Sequence, residues 1–223
     1  MCHSSCITFA RTQLSAEEVA GRSVLEVGSL DVNGSVRPLV EALRPAVYIG
    51  VDIEHGPRVD EVCDVTELTE RFGEGDFDLV ISTELVEHVR DWRTAFSNLK
   101  RVLRPGGTIL VTTRSKGFAM HGWPHDYWRY EPEDMHRIFE DFEAVVVERD
   151  PEAPGVFVKA RKPVRPVDGA PLSDIELYSI AVRRRTKKIS KLVDFLHRPR
   201  FGSLRKQLAL RDRWRRRKEN RSD

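Results

Sequence analysis

Short apolar runs alternate with helical patterns over residues 23–162 of this chain of 223 residues. Four of the runs are apolar on both faces, as buried parallel strands are. These runs are 24–28, 47–53, 77–83 and 108–113. A weaker run at 59–63 predicts a further short strand. Because strands and helices alternate, the pattern predicts a parallel sheet covered on both faces.

Two segments between these runs have the periodicity of helices. Residues 35–44 begin with Ser35 as a candidate N-cap and keep Pro38 in the first turn, where proline is tolerated. Residues 91–103 place their apolar side chains on one face, and the RPGG that follows ends the helix. The side chains of that face are Trp92, Ala95, Phe96, Leu99, Val102 and Leu103.

The end of this region has a different pattern. Residues 142–150 and 155–162 are two strand-like runs joined by a short PEAP turn region, which indicates an antiparallel pair. We therefore predict an α/β fold with a doubly wound, mostly parallel sheet that ends in an antiparallel hairpin. Ligands of such sheets bind beyond the carboxyl ends of the strands.

Charge is distributed unevenly along the chain. Residues 181–223 hold 17 Lys+Arg against 4 Asp+Glu, a net +13, whereas residues 1–180 hold 20 against 31, a net −11. The Pro-rich segment 162–171 is the predicted boundary. The predicted parts are an N-terminal segment at 1–22, a main domain at 23–165 and a basic helical C-terminal extension at 166–223.

Composition excludes several classes of protein. No apolar run approaches the roughly 18 to 20 residues of a membrane span. The N-terminus lacks the basic start and apolar run of a signal peptide, so we expect a cytoplasmic protein. Three cysteines do not form a disulfide framework. Cys2, His3 and Cys6 lack the fourth ligand of a closed zinc site, so we expect frayed terminal residues and no metal.

The first predicted strand leads directly into the loop GSLDVNGS and then into a helix. Gly28 lets the chain turn, and the helix start offers N–H groups and a positive dipole end to an anion. Asp52 ends the second strand, where a carboxylate can accept both hydroxyls of a ribose. These features predict a ligand that contains a nucleoside.

The loop disfavours a nicotinamide dinucleotide. Leu30 and Asn33 stand where the G-x-G-x-x-G loop would need its second and third glycines. None of the four tyrosines is followed by Lys four positions later, as a short-chain dehydrogenase would require. Hydride transfer is therefore a distant alternative.

Five segments in order give the chain a family resemblance. They are VLEVGSLDVNG, VYIGVDI, CDVTEL, FDLVISTELVEHVRDW and LKRVLRPGGTILVTT. With them the chain resembles the class I S-adenosylmethionine-dependent methyltransferases, in particular the group of ubiquinone-biosynthesis and small-molecule methyltransferases. The likeness covers roughly residues 23–113 and extends to about 162 through HDYWRYEPEDM and the hairpin. It implies a Rossmann-like methyltransferase fold with a seven-stranded sheet, and S-adenosyl-L-methionine as cofactor.

The resemblance implies that the loop after the first strand surrounds the methionine part of the cofactor. The loop residues expected there are Glu26, Gly28, Ser29, Asp31, Asn33 and Gly34. The family's ExGxGxG is here ExGSLDVNG, so only one of its three glycines is in place. Asp31, Asn33 and Gly34 are expected to compensate, since Asn tolerates unusual backbone angles.

The resemblance also implies contacts with the nucleoside. Asp52 would hold the ribose diol, and Ile53 would pack on the adenine. Asp64, with the Val65 backbone, would meet the adenine edge, and Thr83 would lie along the cofactor. The alternatives are that Asp52 caps a turn at the strand end and that Asp64 is the N-cap of the following helix.

The segment HGWPHDYWRY, residues 121–130, follows the last parallel strand on the edge where an acceptor must approach. Its aromatic faces suit a sugar or a planar ring, and Asp126 and Arg129 suit polar substituents. The predicted acceptor-binding residues are Trp123, Tyr127, Trp128 and Arg129. The alternative is that the aromatic side chains only cover the core.

A hydroxyl acceptor needs a base to take its proton. The candidates in the acceptor region are His121, His125 and Asp126. His88 of ELVEHV is a further candidate, although Glu87 and His88 are at least as readily helix-surface or supporting residues.

In the basic extension, Ile189, Leu192, Val193 and Leu196 lie on one face of a predicted helix. Such a tail attracts an anionic membrane surface or nucleic acid, and a solvated helix is the alternative. Membrane attraction ranks ahead of RNA because no nucleic-acid fold motif accompanies the charge.

The sequence therefore predicts a cytoplasmic methyltransferase, with a peripheral membrane location as an option, that acts on a hydroxyl oxygen of a small molecule or glycan. The alternatives are a nucleic-acid methyltransferase anchored by the basic tail and a non-catalytic nucleoside-binding protein.

Overall fold

A computed structural model describes residues 3–121, 126–190 and 193. The described α-helices are α1 Ser4–Gln13, α2 Ala16–Val19, α3 Arg37–Ala42, α4 Leu68–Phe72, α5 Trp92–Val102 and α6 Pro132–Ile138. None of the helices in these ranges is long and apolar enough to cross a lipid bilayer.

The main sheet has seven strands. They are β1 Ser23–Val27, β2 Val47–Asp52, β3 Glu61–Val62, β4 Phe77–Thr83, β5 Leu103–Arg114, β7 Glu143–Arg149 and β8 Gly155–Arg161. Their order is β3-β2-β1-β4-β5-β8-β7, with β8 antiparallel to both β5 and β7 and the other neighbours parallel. The predicted fold class is confirmed. The strand order reverses between β1 and β4, and ligands of doubly wound sheets bind at this point.

The core lies on both faces of the central strands. Leu79, Val80 and Ile81 of β4 are fully buried, which explains why this strand is apolar at successive positions. Helix α5 buries Trp92, Phe96 and Leu99 completely. Asp91 caps this helix, and its side chain accepts from the N–H of Thr94.

The N-terminal helix α1 belongs to this core. Cys6, Phe9 and Ala10 are buried in one cluster with strand residues that include Leu79 and Phe157. The rings of Phe9 and Phe157 lie 5.1 Å apart. The expectation of frayed terminal residues is therefore wrong for Cys6, because the apolar face of this helix covers the sheet.

A second, three-stranded sheet was not predicted. Its strands are β6 Trp128–Arg129, β9 Leu177–Ser179 and β10 Arg184–Thr186. Arg93 of α5 donates to the carbonyls of Leu172, Ile175 and Lys187 at 2.5 to 2.8 Å and so fixes the segment that carries β9 and β10. Strands of two or three residues are too short to give a periodic pattern.

The chain divides into two compact units, Met1–Lys188 and Ile189–Asp223. The first unit thus extends beyond the boundary predicted near residue 165. Only residues 189, 190 and 193 of the second unit are described, so Leu192 and Leu196 of the predicted basic helix lie outside the described residues.

Candidate active site

The loop after β1 turns sharply at Gly28. Gly28 has φ +84°, and its N–H donates to the carbonyl of Val51 on β2. A Cβ placed at Gly28 would lie 3.1 Å from the Cβ of Leu85, which follows β4. The predicted cofactor loop therefore lies directly beside the segment that follows β4 and contains Leu85.

The remainder of the loop is closed by its own polar groups. Asp31 accepts from the N–H of Gly34 at 2.9 Å, and Gly34 has φ +135°. Asn33 does not have a positive φ. The unusual backbone angle expected in this loop is found at Gly34 instead. The Ser29 hydroxyl is buried without a hydrogen-bond partner among the described residues. It is therefore a polar atom available to a ligand of this loop.

Glu26 lies on β1 below the loop and is 2% exposed. Its carboxylate accepts from the Tyr48 hydroxyl at 2.7 Å. Burial raises the pKa of Glu26 to about 7, against the opposing effect of this hydrogen bond. Sequence reasoning missed Tyr48, although the parallel register pairs Glu26 with Gly50 and so places Tyr48 on the same face two residues away.

Asp52 lies at the carboxyl end of β2, as predicted. Its two oxygens accept from the N–H groups of Leu30, at 3.2 Å, and Glu54, at 3.3 Å. The adjoining Ile53 is 49% exposed, an apolar side chain open at the edge of the sheet. The cofactor loop, the carboxylate and the apolar surface therefore meet at one place.

Asp64 and Val65 lie beside Asp52, because the N–H of Cys63 donates to the Asp52 carbonyl. Asp64 accepts from both the N–H and the hydroxyl of Thr66 at 2.8 Å, so it is the N-cap that the alternative interpretation expected. Val65 is buried. Thr83 ends β4 and is also buried, at 4% exposure.

The aromatic side chains of residues 127–130 form a wall. Tyr127, Trp128 and Tyr130 are each at most 3% exposed. The Trp128 indole donates to the carbonyls of Val89 and Arg90, and the Tyr130 hydroxyl donates to Val86. The prediction that Tyr127 and Trp128 present open faces to an acceptor is corrected, since these side chains pack beneath the surface.

Arg129 and Asp126 are also engaged internally. The five N–H groups of the Arg129 guanidinium donate to the Asp126 carboxylate and to the carbonyls of Phe118, Ala119 and Trp128. No donor of Arg129 remains for an acceptor, which corrects that prediction. Burial alone would raise the pKa of Asp126, but Arg129 and His121 hold it well below its usual range, so Asp126 does not accept a proton near neutral pH.

Glu87, His88 and His121 converge on one point beside this wall. Glu87 Oε1 lies 3.9 Å from His88 Nε2 and 3.7 Å from His121 Nε2. Glu87 is completely buried, whereas the two histidine side chains are 15% and 18% exposed. Of the four predicted catalytic candidates, the structure thus brings together His88, His121 and Asp126, while His125 lies outside the described residues, as does Trp123.

The charged groups of this cluster shift one another's pKa values. Burial would raise the pKa of Glu87, but the nearby His121, the charge of His88 and the hydrogen bond from Thr113 lower it to about 2. Burial would lower the pKa of His121, but Asp126 and Glu87 raise it to about 9. In the protein alone, His121 is therefore protonated at neutral pH and is a poor base.

A buried ionic network missed by sequence reasoning holds this segment. Glu84 has φ +54° and forms an ion pair with Arg114, which also contacts Asp150 at 2.9 Å. Glu84 also accepts from the Thr112 hydroxyl at 3.1 Å and the Cys6 thiol at 3.7 Å. A non-glycine residue with positive φ is strained, and such strain is common where a site must be held in place.

Known proteins share the segments that build this site. Residues 25–111 match the family model described as a methyltransferase domain. The chain is 27% identical over 112 residues to phosphoethanolamine N-methyltransferase 2 of Caenorhabditis elegans, with 44% of this chain and 25% of that protein covered. It is 30% identical over 96 residues to the mitochondrial ubiquinone biosynthesis O-methyltransferase of Homo sapiens, with 43% and 24% covered. The chain thus spans about a quarter of the length of these relatives.

A solved structure shares the fold. It is the Burkholderia thailandensis 1,6-didemethyltoxoflavin-N1-methyltransferase with bound 1,6-didemethyltoxoflavin and S-adenosylhomocysteine. It matches with a TM-score of 0.55 and 19% identity, covering 71% of this chain and 78% of that one. The resemblance drawn from the five sequence segments is confirmed, and so is the predicted Rossmann-like methyltransferase fold.

Proposed function

We propose, from the premise that residues 25–111 match a methyltransferase domain, that the protein uses S-adenosylmethionine to methylate a hydroxyl oxygen of a small molecule or glycan. The observation that carries this proposal is the contact of the Gly28 loop with Leu85. Leu85 is followed two and three residues later by Glu87 and His88, so the cofactor loop and the polar cluster adjoin.

The residues present fit the cofactor. Gly28 provides close backbone approach that a side chain would obstruct, and Ser29 offers an unpartnered buried hydroxyl. Asp52 is placed to hold the ribose hydroxyls through carboxylate oxygens, and the exposed Ile53 is placed to pack on the adenine. Glu26 is placed to receive the amino group of the methionine part, which would stabilise its ionised form.

When bound, S-adenosylmethionine supplies a methyl group on a positively charged sulfur. The acceptor oxygen forms the new O–CH₃ bond as the S–CH₃ bond breaks and its electron pair returns to sulfur. Alignment of the partners contributes about 7 to 11 kcal/mol in favourable cases. In the wall of Tyr127, Trp128 and Tyr130, the hydrogen bonds of Trp128 and Tyr130 hold residues 86–90 in place, and the acceptor proton leaves to solvent.

The cofactor assignment is tested by calorimetry of the full chain with S-adenosylmethionine, S-adenosylhomocysteine and NAD. Asp52→Ala should weaken binding of the first two by about 10- to 100-fold, the effect of removing a charged hydrogen-bond acceptor. Asp168→Asn, an exposed carboxylate far along the chain, is the matched control and should leave affinity unchanged.

Two results would overturn the proposal. One is preference for NAD over S-adenosylmethionine. The other is unchanged binding in Asp52→Ala. If binding is intact while a panel of hydroxylated acceptors yields no methylated product, the protein is the non-catalytic nucleoside-binding alternative.

A further inference from the structure

Arg114, the last residue of β5, is a buried arginine held between two carboxylates. Its side chain is 2% exposed, forms an ion pair with Glu84, and places Nη1 2.9 Å from Asp150 Oδ2. Buried ion pairs add little net stability, because taking the charges out of water costs about as much as their attraction returns. Net stability therefore does not account for this arginine, whereas its planar guanidinium fixes the directions of the groups that it contacts.

On one side, Arg114 holds the residue that precedes Leu85. Glu84 has φ +54°, a strained angle that persists only where several contacts enforce it. Its N–H donates to the Thr112 carbonyl at 2.9 Å, and its carboxylate accepts from the Thr112 hydroxyl at 3.1 Å. The Cβ of Leu85 lies 3.1 Å from the position that a Cβ at Gly28 would take. The ion pair with Arg114 thus helps to orient the side chain that packs on the cofactor loop.

On the other side, Arg114 packs on the segment 115–121, which leads from β5 to the predicted acceptor region. The central carbon of its guanidinium lies 4.4 Å from the ring centroid of Phe118. The Phe118 ring lies 4.8 Å from the ring of His121 in a T-shaped arrangement. The Arg114 carbonyl also accepts from the N–H of Tyr130, in the aromatic wall, at 2.9 Å. One residue therefore contacts both the support of the cofactor loop and the segment that ends at His121.

We propose that Arg114 is a positioning residue that couples the cofactor loop to the segment 115–121, so that binding of the cofactor fixes this segment where the acceptor must approach. This role rests on the proposed function. The cofactor loop touches Leu85, which follows Glu84 directly. Glu84 pairs with Arg114, and Arg114 packs on Phe118. Close-packed side chains transmit displacement, so a ligand that immobilises Leu85 also restricts the groups packed behind it.

Methyl transfer depends on this kind of alignment, because the acceptor oxygen must lie in line with the S–CH₃ bond. The backbone N–H groups of the segment 115–121 make its order measurable. Those of Lys116 and His121 donate to carboxylates at 2.9 and 2.8 Å. The exchange of such N–H groups with solvent reports how often the segment opens.

Hydrogen exchange of the full chain, measured by mass spectrometry with and without saturating S-adenosylhomocysteine, tests the coupling. In the wild type, the ligand should slow exchange of residues 115–121 by at least about tenfold. Phe118→Leu keeps the ion pairs of Arg114 but removes the ring, and Arg114→Lys keeps the charge but loses the planar contact. In both variants the slowing should fall below about twofold. Calorimetry should give Phe118→Leu a Kd for S-adenosylhomocysteine within about threefold of wild type.

Arg101→Lys is the matched control, since this half-exposed arginine of α5 pairs with Glu74, and it should show the slowing of the wild type. A purely structural role of Arg114 would raise exchange equally with and without the ligand, so the ratio of the two rates is the quantity compared. Circular dichroism checks that each variant is folded. If Arg114→Lys does not fold, Phe118→Leu decides the outcome.

The coupling is refuted if the wild type binds S-adenosylhomocysteine without slower exchange in residues 115–121. Slowing that survives in Phe118→Leu would refute it equally. In both cases the ligand binds, and the proposed function stands. A wild type that does not bind S-adenosylhomocysteine would overturn the proposed function and the coupling together.

Discussion

At the scale of single residues, the carboxylate of Glu26 gives the protein a measurable pH dependence. Burial raises its pKa from 4.5 to about 7, so the folded chain holds a proton that the unfolded chain releases. The stabilisation is fully present below about pH 4.5 and is lost as the pH rises through about 7. Between these values, wild type should lose about 3 kcal/mol of unfolding free energy relative to Glu26→Gln.

Urea unfolding of both proteins without cofactor, at a series of pH values, measures this difference. Glu133→Gln changes an exposed carboxylate of α6 and should show no such trend. A difference between wild type and Glu26→Gln that stays constant with pH would contradict the assignment.

The sequence predicted the positions of the site residues better than it predicted their roles. Asp52 lies at the strand end where the motif put it, and Gly28 has the positive φ that the turn needs. Arg129 and Trp128 were predicted to face an acceptor, yet both are buried. Arginine and tryptophan side chains occur both on ligand-binding surfaces and in buried packing. Only the tertiary contacts of a given side chain decide which of these two roles it has.

At the scale of elements, helix α1 is a structural part of the domain. Phe9 is 4% exposed and packs on Phe157 of β8. Phe9→Ala should cost about 3 to 5 kcal/mol of unfolding free energy, through lost burial and the cavity that remains.

Chemical denaturation measures that cost. Arg11→Ala, on the exposed face of the same helix, is the matched control and should change stability by less than about 0.5 kcal/mol. An equally small effect of Phe9→Ala would show that α1 does not contribute to the cooperative core.

Long buried strands and the amphipathic α5 could be predicted because each has its own periodic pattern. Helix α1 was missed because its apolar stripe is short and interrupted by polar residues. Strand β6 was missed because it pairs with β9 across about 50 residues of sequence, and β9 and β10 were missed because each has only three residues. These elements exist only where the rest of the fold supplies their partners.

At the scale of the whole molecule, the opposite charges of the two parts of the chain suggest a location. We propose that the basic residues of 181–223 attract the protein to anionic lipid surfaces. Substituting Arg215, Arg216, Arg217 and Lys218 with Gln should weaken binding to phosphatidylserine vesicles by at least about tenfold, since each cation near such a surface contributes about 1 kcal/mol.

Co-sedimentation at several salt concentrations measures the binding. Neutral phosphatidylcholine vesicles and a variant with Gln at the exposed Arg11, Arg137 and Arg165 are the controls. If the tail variant loses affinity for single-stranded RNA while vesicle binding is unchanged, the nucleic-acid alternative replaces the lipid one.

The sequence by itself determined the sheet, its hairpin and the edge where a nucleoside-containing cofactor should bind, because these depend on local periodicity and on a few residues at strand ends. The tertiary structure decided that Asp126 and Arg129 pair with each other and that Glu87, His88 and His121 converge. Such roles depend on which charges become neighbours once water is excluded, and 33 residues of sequence separate His88 from His121. The convergence of these three side chains is therefore a property of the folded chain alone.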